Sequence, residues 1–122
     1  MKPASSPTLR VCIEAEDGHF VAQCVDYDIS AEGATIDAAI QAFIRLYMKY
    51  VLVAAELGIK LFETTPPAPQ EYVDRWKRDA REGQRVYTER IPDFSILRNG
   101  VQVKAKHTFG AIEACVPAEV AA

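Results

Sequence analysis

The sequence predicts an α+β domain: a small antiparallel sheet, one long helix, then a second helix and a β-hairpin. Three observations carry that reading. Asp17-Gly18 and Asn99-Gly100 each sit between two runs of alternating apolar and polar residues, the pattern of a hairpin whose turn residues need positive φ. Between them, residues 36–57 repeat apolar side chains at the spacing of a helix about six turns long. The chain of 122 residues is 49% hydrophobic and 25% charged, enough for one buried core and too short for two large ones.

The first strand is L-R-V-C-I-E-A, residues 9–15, which alternates as a half-buried strand must. H-F-V-A-Q-C, residues 19–24, is the second. A two-residue turn between them pairs Glu16 with His19, and therefore Ala15 with Phe20, Ile13 with Ala22 and Val11 with Cys24. Those last six side chains share one apolar face. The same register sends Cys12 to the opposite face, out of disulfide reach of Cys24. Ile29–Glu32 is a short third strand, closed by Gly33.

Thr35 occupies an N-cap position and Asp37 lies in the first turn, where it complements the helix dipole. Ile36, Ile40, Phe43, Ile44, Tyr47, Met48, Val51, Leu52 and Ala55 then form one stripe, with Gln41, Arg45 and Lys49 opposite and Gly58 as the C-cap. The stripe is broader than a three-stranded sheet covers. The rest of the chain or another subunit is expected to cover its Val51–Ala55 end.

Ile59–Phe62 is expected to be a fourth strand, after which T-T-P-P-A-P interrupts regular structure. Gln70–Glu82 reads as a second helix with Tyr72 or Val73, Trp76 and Ala80 in a narrow apolar stripe, ended by Gly83. Glu71–Arg75 and Asp74–Arg78 are spaced as i,i+4 ion pairs on it. F-S-I-L-R-N-G-V-Q-V-K-A supplies the second hairpin, and from His107 onward no period is evident. The chain therefore divides into a tail at 1–8, an α/β domain at 9–62, a helix-plus-hairpin extension at 63–106 and a loosely held tail at 107–122.

The net charge of −3 gives no general attraction to nucleic acid or to anionic membrane. The longest apolar-rich run, Val51–Ala55, is far shorter than the roughly 20 residues of a membrane span. The opening M-K-P-A-S-S-P-T lacks the apolar core of a signal peptide, so the expected location is the cytoplasm. Cys12, Cys24 and Cys115 are odd in number and widely spaced, as expected of reduced thiols used as small apolar groups.

Three clusters carry chemistry in principle. Asp26, Asp28 and Glu32 fall within seven residues and offer oxygen ligands to a divalent cation, as in a metal-dependent hydrolase or nuclease. No base or phosphate-binding group accompanies them, and the favoured reading is a solvated loop and edge strand kept unpaired by charge. Arg75, Lys77, Arg78, Arg81 and Arg85 surround Trp76 and could grip nucleic-acid phosphates. Glu71, Asp74, Asp79 and Glu82 nearly neutralise them, which favours a salt-bridged helix docked through Trp76. His19, beside a turn, and His107 lack a nucleophile in a recognisable motif, so no catalytic residue and no cofactor are expected.

The stretch E-D-G-H-F-V-A-Q-C-V-D-Y-D-I-S-A-E-G-A-T-I-D-A-A-I, residues 16–40, resembles the HicB family of bacterial antitoxins and their stand-alone relatives. Asp17-Gly18, Phe20-Val21-Ala22, Gly33, Thr35 and Ala38-Ala39 occupy the places of that pattern. The resemblance spans residues 9–58 and implies a β-β-β-α-β unit, similar to part of a ribonuclease H fold without its catalytic residues. It also implies a non-catalytic protein-binding module that pairs with itself and with a small toxin ribonuclease. Two features depart from the pattern. Val25-Asp26-Tyr27-Asp28 replaces a Pro-Asp-Leu-Pro-Gly turn, and one helix plus a hairpin stands where a DNA-binding segment needs two helices. Operator binding is therefore not carried over. The apolar surplus on the long helix and the second hairpin point to a homo-oligomer, or else complete a monomer core.

Overall fold

The computed structural model describes residues 7–81 and 85–116. The chain folds as β1 (Thr8–Glu16), β2 (His19–Cys24), β3 (Ser30–Gly33), α1 (Ile36–Leu57), α2 (Gln70–Arg81), β4 (Arg85–Arg90), β5 (Ser95–Arg98), β6 (Val101–Lys104) and β7 (Ala111–Val116). Five strands make one mixed sheet in the order β3-β2-β1-β7-β4, and β5-β6 forms a separate two-stranded sheet. The fold is α+β, as the sequence predicts.

The first hairpin follows from its turn. Asp17 and Gly18 take φ of 45° and 84°, the positive pair that matches the twist of two antiparallel strands. The register is the expected one, from Glu16 opposite His19 to Val11 opposite Cys24. Leu9, Val11, Ile13, Ala22 and Cys24 are buried on the α1 side. Cys12 belongs to the other face with Val25, Cys115 and Trp76. The sheet thus separates two helices, α1 on one face and α2 on the other.

α1 begins where Thr35 accepts a hydrogen bond from the Ala38 amide at 3.0 Å. It ends on Gly58, whose φ of 68° allows its amide and that of Ile59 to satisfy the carbonyls of Ala55 and Ala54. Ala39, Ile40, Phe43, Ile44, Tyr47 and Val51 are buried along its length. Its 22 residues are long and apolar enough to cross a membrane, although the longest uninterrupted apolar run is short, and its buried stripe lies in the protein core. β3 approaches α1 so closely at Gly33 that a Cβ there would overlap the backbone of Ala38 and Ala39.

Three expectations are corrected. Ile59–Phe62 is a turn and not a fourth strand, because the Ile59 amide is committed to the helix cap and Phe62 takes a φ of 63°. That conformation turns the Phe62 ring into an aromatic cluster, 4.3 Å from Tyr27 and 5.5 Å from Tyr50 by ring centroids. Residues 107–116 are not a loosely held tail, and 117–122 lie outside the described residues. Ala111–Val116 is β7, parallel to β1 from Thr8↔Ala111 to Cys12↔Cys115 and antiparallel to β4. Its A-I-E-A-C-V shows no clear alternation because both faces of the strand are covered, as in a buried parallel strand. The division at 62/63 and 106/107 therefore runs through one sheet, to which Arg85–Arg90 adds an unforeseen edge strand. The expected helix end at Glu82 and Gly83 lies outside the described residues.

Candidate functional site

The three carboxylates do not converge. Asp26 accepts from Arg10 at 2.6 Å, and that hydrogen bond is the main reason the guanidinium is held above its ordinary pKa. Glu32 lies across the strand pair from His19, 3.6 Å from its Nε2. Asp28 is exposed, and its amide donates to the Pro66 carbonyl at 2.9 Å. The approach to β3 is thus flanked by Pro66–Ala68, which the Ala68 amide fastens to the Asp26 carbonyl at 3.3 Å and Tyr27 bridges at Pro67. Among the described residues no three His, Cys, Asp or Glu side chains group as metal ligands.

The basic helix is used inward. Arg75 pairs with Glu14 of β1 and stands over the Tyr72 ring at 5.3 Å. Burial works against its charge, and the Glu14 carboxylate outweighs burial, so its pKa is raised. Arg78 reaches back to Asp79, whose carboxylate is buried, with Oδ1 accepting at 3.2 Å. Lys77 is exposed, and the side chains of Arg81 and Arg85 lie outside the described residues. Trp76 packs on Cys12, Val25 and Cys115, with Arg10 5.9 Å from its ring. Two of the five expected cations, Arg75 and Arg78, therefore already hold carboxylates.

Burial pushes the Cys12 thiol up to about 12 and the Cys115 thiol up to about 11. Cys24 is raised by burial as well. All three are free and buried, and as protonated thiols they are poor nucleophiles. His107 has a place that no local pattern indicated. Its Nδ1 lies 2.8 Å from the Phe109 carbonyl, which can only accept, so Nδ1 carries the proton. The buried Tyr47 hydroxyl lies 3.0 Å from the same nitrogen and accepts from the Phe109 amide at 3.2 Å. Sixty residues separate Tyr47 from His107 in sequence. This pair pins the segment leading into β7 onto α1.

What remains open is apolar. Leu97, Leu57 and Val101 are 73%, 66% and 61% exposed, with Val53 and Val103 at 47% and 38%. They belong to the last turns of α1 and to the β5-β6 hairpin, whose Asn99 and Gly100 take φ of 52° and 76°. A cleft of about 470 Å³ between the two is lined by Leu52 and Glu56 on one side and Ser95, Ile96, Leu97 and Gln102 on the other. Val51 is covered by the chain itself, beside Ile59 and His107, while Val53 and Leu57 face outward. Exposed apolar side chains beside such a cleft suit contact with another protein surface. No family model, curated protein or solved structure matches the chain.

Proposed function

We propose that this chain is a non-catalytic, HicB-like protein-binding module of antitoxin type, acting in the cytoplasm by contact with a small toxin-like protein. The observation that carries the reading is the chain order of the main sheet. Three antiparallel strands are followed by a Thr-capped helix, and the chain then returns as β7 parallel to β1. With β7 taken as the last strand, this order is similar to the β-β-β-α-β unit that the resemblance implies, with α2 and β4–β6 lying between α1 and β7 in the chain. The pairing of Asp26 with Arg10 and of Arg75 with Glu14 supports contact in preference to metal or nucleic-acid chemistry.

The test is capture of the tagged chain from its native cell, followed by mass spectrometry and reconstitution with the captured protein. One small protein in fixed stoichiometry is the expected result. Divalent-cation-dependent cleavage of RNA or DNA that is lost in Asp26→Asn would overturn the reading. So would nucleic-acid binding abolished by alanine at Arg75, Lys77, Arg78 and Arg81.

A further inference from the structure

We propose that two copies of the chain join through the outer edge of β6, so that their hairpins form one four-stranded antiparallel sheet across a two-fold axis at Gln102. The inference deepens the protein-contact reading by naming a second copy as occupant of the open surface.

A two-stranded hairpin is marginal in water unless something packs on it or extends it. Here Phe94 and Ile96 rest against the core, and Leu97, Val101 and Val103 stay exposed. Among the described residues no strand pairs with the outer edge of β6.

The direction of the backbone groups follows from the register. Ser95↔Lys104, Ile96↔Val103, Leu97↔Gln102 and Arg98↔Val101 are partners, and the Ala105 amide donates to the Phe94 carbonyl at 2.8 Å. In an antiparallel ladder hydrogen-bonded pairs alternate with non-bonded ones. Phe94–Ala105, Ile96–Val103 and Arg98–Val101 are then the bonded pairs. The amide and carbonyl of Gln102 consequently point away from β5, toward the open edge.

Val101-Gln102-Val103 reads the same in both directions. Antiparallel self-pairing centred on Gln102 places Gln102 opposite its own copy, exchanging two backbone hydrogen bonds. Val101 then falls opposite Val103 of the second copy, twice, in the non-bonded positions where side chains approach closest. Lys104 falls opposite Gly100, about 14 Å along the strands from the other Lys104, so like charges stay apart. On β6 itself Val101 and Val103 are 61% and 38% exposed, and the pairing covers each with the Val103 or Val101 of the second copy. A foreign strand would need to match this pattern, whereas a second copy does so by symmetry.

Gln102→Pro removes one outward N–H and leaves the β5-β6 ladder its own donors. Sedimentation at about 100 µM should give a dimer for the parent and at least tenfold weaker self-association for Gln102→Pro, with a similar circular-dichroism spectrum. Val101→Lys with Val103→Lys should act alike. Should Gln102→Pro fail to fold, amide exchange on the parent decides instead: Gln102 should exchange at least tenfold more slowly at high than at low concentration. A parent that stays monomeric, or a folded Gln102→Pro that stays fully dimeric, overturns the proposal. A monomer that still captures a toxin-sized protein overturns it and leaves the contact reading standing. A dimer that captures nothing supports it and counts against that reading.

Discussion

Gly33 shows how one residue sets the distance between layers. Its φ is not the constraint; its missing Cβ is, because β3 meets the first turn of α1 backbone against backbone. Gly33→Ala should cost about 1–3 kcal/mol in urea unfolding, by forcing strand and helix apart. The thiols give a second prediction, in pH. Cys12 and Cys115 would titrate near the ordinary 9.0 in the unfolded chain, but burial holds their protons to about 12 and 11 in the folded one. Above pH 9 the unfolded state therefore binds fewer protons than the folded state. Their contribution is fully present below 9 and is lost as pH rises through 11 and 12. The urea midpoint should fall between pH 8 and pH 10, and Cys12→Ala with Cys115→Ala should flatten that slope.

Helix α2 is amphipathic in an uneven way, with few apolar side chains and many charges. Its isolated stability is low, so docking depends on Trp76 over Cys12, Val25 and Cys115, on Arg10 beside the Trp76 ring and on the Arg75–Glu14 pair. Ion pairs this exposed contribute little singly, which leaves Trp76 as the main anchor. Trp76→Ala should lower stability by about 3 kcal/mol and make Cys12 and Cys115 react at least tenfold faster with a thiol reagent. Unchanged labelling would show that α2 does not need its tryptophan to cover that face.

The molecule as a whole is held by a strand from the far end of the chain. β7 stands between β1 and β4 and carries Ile112, Ala114 and Val116 into the α1 core and Cys115 into the α2 core. Tyr47, reaching His107 and Phe109, fixes the approach to it. Ending the chain at residue 106 should abolish cooperative unfolding, read as loss of a sigmoidal denaturation curve. Replacing residues 95–104 by a short glycine-rich link should leave that curve sigmoidal and remove self-association, because the hairpin lies outside the main sheet.

Wherever the physics is local, the sequence by itself determined the outcome. Asp17-Gly18 and Asn99-Gly100 select their turns because both residues must take positive φ, and a two-residue turn allows one register. Thr35 and Gly58 bound α1 because their groups satisfy helix ends a few residues away. The alternation along β1 and β2 assigned Cys12 and Cys24 to opposite faces. The site was legible in part: the charge balance around Trp76 and the surplus apolar surface of α1 and the hairpin are visible in composition. Only the tertiary structure decided the rest. It placed residues 111–116 beside β1, turned Ile59–Phe62 away from the sheet, paired Tyr47 with His107, and gave Asp26 to Arg10. Each of these joins positions that no turn or period links, and their partners are chosen by which surfaces the folded sheet leaves to be covered.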